Sequence, residues 1–325
     1  MPLRRRKQYR VAIVGCGKIA GGYDMPHSRS RGKIRTHIKA YRANPRFEVV
    51  AACDQSLATV RRFCRHWSIP AAYRDLATML MCEKPDAVSV CVPTAAHREV
   101  LETIARNPVR LVFAEKPFTE SARDAKLVLE KLKAKKISVA ANYLRRWCPN
   151  HRKIKSIIDS GRLGKLRSFD AVYHGSLSNI GSHLIDLVFF LAGEIKAVRA
   201  KRGGRGGELF LKGGVSGFLE QSPRDRFVLE LLFDHGLVRI ARYGYEGECL
   251  VWRGKGIRVL QRFSAPTQGI DSAMKHAVAN LGEHLARGAA LFSDGRGALR
   301  VLSVCDALRR SAKSGRTIHC SGRPA

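Results

Sequence analysis

A parallel-sheet α/β domain followed by an α+β domain with a large, mostly antiparallel sheet is the fold class this sequence predicts. Three observations carry it. From residue 9 to about 145, short apolar runs alternate with helix-like stretches, the pattern of βαβ units. After Trp147 the runs follow one another through turns with few helices between them. A glycine-rich hexapeptide, Gly15 to Ala20, stands directly behind the first apolar run. The expected domains are therefore 1–145 and 146–325.

In the first domain, strands are expected at Tyr9 to Val14, Phe47 to Cys53, Ala87 to Val92, Arg110 to Ala114 and Ser138 to Tyr143. Helices are expected between them at Thr36 to Ala43, Leu57 to His66, Asp75 to Met81, His97 to Arg106 and Ser121 to Lys135, where apolar residues recur at helical spacing. In the second, strands are expected at Leu166 to Tyr173, Ala197 to Arg202, Glu208 to Phe218, Phe227 to Phe233, Leu237 to Arg242, Cys249 to Arg253 and Ile257 to Phe263. Asp234-His235-Gly236 and Arg253 to Gly256 supply hairpin turns. Gly203 to Gly207 reads as a mobile surface loop, and helices at about Ser272 to Arg287 and Gly297 to Ser314 close the chain.

Composition sets the outer bounds. The chain of 325 residues is 45% hydrophobic, enough for well-filled cores and against disorder. The basic head Met1 to Arg10 is followed by an apolar run of only Val11 to Val14, too short for an export signal. No run approaches the roughly 20 apolar residues of a membrane helix, so no membrane partner is expected. Nine cysteines, an odd number without Cys-x-x-Cys or zinc spacing, suit reduced thiols in the cytoplasm and no metal. The net charge of +32 raises nucleic acid as a partner. Its basic residues are scattered, with short runs such as Arg4 to Lys7 and no nucleic-acid-binding motif, so a generally basic surface is expected instead.

Chemistry concentrates at strand ends. Gly15-Cys16-Gly17-Lys18-Ile19-Ala20 has the form G-x-G-x-x-A between a strand and an expected helix, where glycines admit a pyrophosphate and helix N–H groups face its charge. A Rossmann dinucleotide-binding domain follows from that context. Asp54 ends the second strand, where a carboxylate accepts the adenosine ribose hydroxyls and repels a 2'-phosphate. NAD is thus the expected cofactor, with Arg61 and Arg62 leaving NADP open. The gap from Gly15 to Asp54 exceeds the roughly 20 residues usual in this fingerprint, so Tyr23 to Arg35 reads as a loop insertion. Glu115-Lys116-Pro117 leaves the end of an apolar strand, where a lysine can donate to a substrate oxygen or relay a proton.

Six segments occur in one order: the Gly15 to Ala20 loop, Ala52-Cys53-Asp54, Val92-Pro93-Thr94 with His97, Glu115-Lys116-Pro117, Asn142 to Trp147, and Gly181 to Asp186. Together they make nearly the whole chain resemble the glucose-fructose oxidoreductase, inositol dehydrogenase and MocA family. That resemblance implies an NAD(P)-binding domain, an open-faced sheet domain often used for oligomer contacts, and redox chemistry at a sugar or cyclitol carbon. It implies cofactor contacts from Gly15, Cys16, Gly17, Lys18, Ile19, Asp54, Pro93, Thr94, His97, Glu115 and Lys116. Lys116 matches the family's acid-base lysine and His183 its catalytic histidine. Asn179 stands where the family's pattern has Asp; an amide orients a hydroxyl but neither accepts a proton nor stabilises an imidazolium as a carboxylate does. Asp186, one turn past His183, is placed to orient it. Tyr143, Arg145 and Arg146 are expected near the nicotinamide end, and a bidentate arginine there would suit an anionic sugar derivative such as a nucleotide sugar.

The function expected is hydride transfer between nicotinamide and a hydroxyl-bearing carbon of a sugar, cyclitol or nucleotide sugar, by a homo-oligomer. The alternatives are NAD-dependent glycoside hydrolysis, which releases no net NADH, and a dinucleotide-sensing regulatory protein, which binds without turnover.

Overall fold

The computed structural model describes residues 8–24, 33–254, 256–264 and 269–320. The Arg4 to Lys7 run, residues 25–32 of the insertion and Lys255 of the Arg253 to Gly256 turn lie outside them. The chain divides into two compact units, Met1–Asn142 with Met274–Gly295, and Tyr143–Ala273 with Arg296–Ala325.

The first unit holds a six-stranded parallel sheet in the order β3-β2-β1-β4-β5-β6. Its strands are β1 (Tyr9–Val14), β2 (Phe47–Cys53), β3 (Ala71–Tyr73), β4 (Ala87–Val90), β5 (Leu111–Ala114) and β6 (Ser138–Ala141). This is the doubly wound order, with its topological switch between β1 and β4. All residues of β4 and β5 are buried, which explains why β5 reads as an unbroken apolar run and β4 as one broken only by Ser89. The strand β3, absent from the expected set, is three residues long and without a buried position, so it carries no apolar signal. The helices are α1 (His37–Arg42), α2 (Leu57–His66), α3 (Leu76–Glu83), α4 (Thr94–Ile104) and α5 (Ala122–Ala134). Ser56, Asp75 and Ser121 cap α2, α3 and α5, each side chain accepting a backbone N–H of the first turn.

One expectation is corrected at the glycine loop. No α-helix follows β1 directly; residues 17–21 form a turn and Gly22–Asp24 a single 3-10 turn. The helix then resumes as if uninterrupted, because His37 N donates to Ile19 O at 3.2 Å and Ile38 N to Ala20 O at 3.0 Å. His37 thus sits where the fourth residue after Ile19 would sit in an unbroken helix. Asp24 clasps the base of the detour: its Oδ2 accepts from Arg35 N, Thr36 N and Thr36 Oγ1 at 3.2, 3.1 and 2.7 Å. The long spacing from Gly15 to Asp54 is therefore a detour spliced into the first helix. On both sides of it Ala20, Ile38, Phe63 and Trp67 share one core.

Helix α8 (Ala273–Arg287), expected in the second domain, packs in the first unit from Met274 onward. His284 Nε2 meets Ser138 Oγ at 2.8 Å, Arg110 Nη2 donates to Leu285 O at 3.0 Å, and Arg46 pairs with Glu283 at 2.5 Å. The following segment lies beside β6, where Ala141 N donates to Ser293 O at 3.0 Å.

The second unit is built on a nine-stranded sheet, β14-β13-β12-β11-β7-β10-β9-β8-β15. The strands are β7 (Leu166–His174), β8 (Ile195–Ala200), β9 (Gly206–Leu211), β10 (Ser216–Ser222), β11 (Phe227–Phe233), β12 (Gly236–Ala241), β13 (Glu246–Arg253), β14 (Gly256–Phe263) and β15 (Ile318–His319). All neighbours are antiparallel except β10 and β7. The single strand expected at Glu208 to Phe218 is two, broken at Gly213 and Gly214, whose φ values are +99° and +87°. Gly206 and Gly207, expected in a mobile loop, are buried in β9, and a Cβ on Gly206 would lie 2.1 Å from Leu219 O. Phe227, Leu229, Leu231 and Phe233 alternate inward along β11. Helices α6 (Pro149–Asp159), α7 (Ser182–Leu191) and α9 (Gly295–Ser314) complete the helical set. Leu187 to Leu191 of α7 is an unbroken apolar run and most of the helix is buried, which blurs the periodicity that would have marked it as a helix.

Candidate functional site

Each unit carries its own group of candidate side chains. In the first, Gly15 has φ +86°, and a Cβ there would lie 2.7 Å from both Cys91 C and Val92 N, backbone that cannot yield. Gly17 is exposed with nothing within 4 Å of its would-be Cβ, so the loop presents open backbone at this point. Lys18 is exposed, Ile19 packs on the core, and Cys16 is buried with its thiol pushed well above the usual range by desolvation. Asp54 leaves β2 against the loop: its Oδ2 accepts from Cys16 N at 2.9 Å and its Oδ1 from Ser56 N at 3.0 Å. Lone pairs remain on both oxygens for further donors.

Pro93 caps α4 and Thr94 is its first residue, so both stand at a strand-to-helix turn beyond β4. His97 is buried, with Nδ1 3.1 Å from Phe118 O and Nε2 2.9 Å from Val92 O. Both neighbours are backbone oxygens and a neutral ring carries one N–H, so His97 donates to one of them and packs against the other, between two strand-end loops. Burial holds its pKa below the ordinary imidazole value.

Glu115 and Lys116 follow β5, and the Lys116–Pro117 peptide is cis. Glu115 is turned inward. Its Oε1 lies 3.0 Å from His37 Nε2 and accepts from Asn142 Nδ2 at 2.6 Å, while Lys116 N donates to its Oε2 at 3.3 Å. The His37 and Asn142 donors keep this carboxyl below the usual carboxylate range against the opposing pull of desolvation. Sequence reasoning gave His37 no role and quoted Asn142 only as part of a motif. The detour hid His37, since its partner Glu115 is far along the chain.

In the second unit, Leu177–Gly181 forms a π-helical turn that runs straight into α7. Such turns recur at functional positions. Asn179 is exposed on it and His183 is half-buried in the first turn of α7, with the Tyr143 ring edge-on at 5.8 Å. Gly181 is closely packed: a Cβ there would lie 2.9 Å from Leu177 Cδ1 and 3.1 Å from Tyr173 Cζ, so those side chains would have to give way.

Two expectations fail here. Asp186 turns to Arg146, whose Nε donates to its Oδ1 at 2.8 Å, and its Oδ2 has no hydrogen-bond partner, so it does not orient His183 through either oxygen. Arg145 lies inside the unit, 7% exposed, its guanidinium 4.4 Å from the Phe227 ring centroid and its Nη2 donating to Tyr243 O at 2.7 Å. Burial lowers its pKa to about 10. Both arginines are committed within their own unit, which removes the basis for an arginine clamp on an anionic substrate.

Buried His151 packs beneath Arg145, with Nδ1 3.2 Å from Arg145 O. Desolvation first, and then the Arg145 charge, lower its pKa to about 3 from 6.5. A depressed histidine stabilises the fold fully above its unfolded value, and that stability is lost as pH falls from 6.5 toward 3. Urea midpoints measured from pH 7.5 to 4.5 are expected to fall more steeply for the wild-type chain than for His151→Asn, which cannot titrate.

Residues 9–143 match the family described as an oxidoreductase family with an NAD-binding Rossmann fold. Over those residues the chain carries the pattern of the glucose-fructose oxidoreductase, inositol dehydrogenase and MocA family. The likeness to this family extends further at lower identity. A D-apiose dehydrogenase of Paraburkholderia graminis is 24% identical over 352 residues, spanning 96% of this chain and 90% of that one. A levoglucosan dehydrogenase in complex with NADH and levoglucosan superposes with a TM-score of 0.81 at 17% identity, covering 96% of this chain and 99% of that one. The WlbA dehydrogenase of Bordetella pertussis, in complex with NADH and UDP-GlcNAcA, gives 0.76 at 19%, covering 98% and 100%. These likenesses show a shared fold. Among the described residues no helix is long and apolar enough to cross a membrane, and all nine cysteines are free thiols.

Proposed function

We propose that this chain is an NAD-dependent oxidoreductase that moves a hydride between nicotinamide and a hydroxyl-bearing carbon of a sugar. The observation that carries the reading is Asp54 set against the Gly15 to Ala20 loop at the β1 and β2 ends of a doubly wound sheet. The residues fit the cofactor. Gly15 is a cradle that a Cβ would fill, Gly17 leaves backbone open to a pyrophosphate, and Asp54 stands where an adenosine ribose is read. When bound, NAD supplies the hydride acceptor; the protein supplies orientation and proton handling.

Lys116 and His183 are assigned to the proton of the reacting hydroxyl, and Asn179 to its alignment by hydrogen bonding. Support comes from their match to the family pattern and from positions at a strand end and beside a π-turn. The named relatives act on or bind apiose, levoglucosan and a UDP-sugar acid. With Arg145 and Arg146 engaged internally, neutral sugars are the first substrates to screen. Titration with NAD, NADH, NADP and NADPH by intrinsic fluorescence, followed by absorbance of the reduced nicotinamide on a sugar panel, tests the reading. Binding without turnover on any sugar would turn it toward a regulatory protein, and glycoside cleavage without net NADH toward a hydrolase.

Asp54 also sets an expected result. Asp54→Ser is expected to improve NADPH affinity relative to NADH by about tenfold, because the charge repelling a 2'-phosphate is gone. Paired titrations check it, and an unchanged ratio would mean that Asp54 does not read the ribose.

A homo-oligomer is the proposed assembly. On the outer sheet face Leu232 pairs with Leu237, Leu237 with Leu250 and Leu250 with Val259, an apolar row ending beside exposed Trp252 and Ile257. Sedimentation of the wild-type chain and Leu237→Glu reads it directly. A cytoplasmic setting is proposed from the free thiols.

A further inference from the structure

The buried side chains behind Glu115 form one continuous file. Tyr41 Oη lies 2.9 Å from Ser89 Oγ, Ser89 Oγ 3.1 Å from His37 Nδ1, and His37 Nε2 3.0 Å from Glu115 Oε1. Tyr41, Ser89 and His37 are each 0% exposed and Asn142 is 3% exposed, so no water competes along the file. Phe113 packs on the His37 ring at 4.6 Å. One set of hydrogens satisfies every contact: Tyr41 donates to Ser89, Ser89 donates to His37 Nδ1, and His37 donates from Nε2 to an ionised Glu115. The carboxylate then receives two side-chain donors on Oε1 and the Lys116 amide on Oε2.

We infer that His37 is a positioning residue of the reaction centre: it locks the Glu115 carboxylate, and Glu115 in turn fixes the backbone from which Lys116 projects. The inference rests on the proton-handling role given to Lys116 above. A largely enclosed carboxylate with only one side-chain donor is free to rotate or to take up a proton, and either change releases the Lys116 amide. The spliced first helix acquires a purpose here, since His37 is the residue at which that helix resumes and the one that reaches Glu115. The titratable groups around Glu115 are His37 and Lys116 in contact with it, and His97 and Cys91 within the reach of its charge.

The experiment compares His37→Leu, which removes the donor, with His37→Gln, which keeps one. The first readout needs no cofactor: carbon-13 NMR of glutamate-labelled protein, with the Glu115 signal assigned by Glu115→Gln. The Glu115 titration is expected to move up by about one pH unit in His37→Leu and by less in His37→Gln. The second readout is turnover. In His37→Leu, kcat is expected to fall on the order of tenfold to a hundredfold while KM for NAD holds. The acid limb of its pH profile should rise with the Glu115 titration, and His37→Gln should recover part of both effects. An unmoved Glu115 titration would overturn the inference, as would a moved titration with an unmoved acid limb or a loss of thermal stability alone. If His37→Leu fails to fold, the same comparisons are made between His37→Gln and the wild-type chain. If the wild-type chain turns over no sugar, the oxidoreductase reading fails, while the NMR arm still decides whether His37 locks Glu115.

Discussion

Lys116→Met is expected to fold, to bind NAD as the wild-type chain does, and to lose turnover by about three orders of magnitude, within the range seen when a general acid-base group is removed. Methionine keeps the length and apolar stem of lysine but carries no proton. The hydrogen bonds under it are kept, because Glu115 takes them from His37, Asn142 and the residue 116 amide, none of which involves the Lys116 side chain. Fluorescence titration separates binding from chemistry, and single-turnover absorbance reads the chemistry alone. A comparable loss in NAD affinity would make Lys116 a cofactor anchor instead. His183→Asn is the companion variant. If both residues serve one proton transfer, the double variant will lose little more than either single one.

The second large effect is expected at Gly15. Gly15→Ala puts a Cβ 2.7 Å from the backbone of Cys91 and Val92 at a φ of +86°. The left-handed backbone alone costs about 1 to 3 kcal/mol for an ordinary residue. The overlap adds to it, and relief requires parting β1 from the turn after β4. Dinucleotide affinity is expected to fall by at least about a hundredfold, some 2.7 kcal/mol, with a lower thermal midpoint. Gly17→Ala, with nothing within 4 Å of its new methyl group, is expected to keep the thermal midpoint and to lose affinity only. A Gly15→Ala protein with wild-type affinity would show that this loop does not hold the pyrophosphate.

Much of this was legible in the sequence where local pattern and burial agree. The runs of β4 and β5 are apolar but for Ser89 because both sheet faces are covered, and the glycine loop declares itself because only glycine fits at Gly15. Long-range placement was not legible. Helix α8 has an ordinary amphipathic pattern, and nothing local tells that its Glu283 pairs with Arg46 rather than with a neighbour in the second unit. Arg145 shows the same limit for the site: a lone arginine in a motif reads as a ligand clamp until Phe227 and the Tyr243 carbonyl are seen to enclose it. His97 likewise reads as a contact residue until both ring nitrogens are found on backbone oxygens.

Ile19 and Ala20 meet His37 and Ile38 as successive turns of one rod, so the rod is complete without the chain that departs after Ala20 and comes back through Thr36. What the fold asks of that excursion is that its two ends return to the same carboxylate. The register of the rod is therefore set by Asp24 and Thr36 at the two ends of the excursion, whatever the number of residues that separates them.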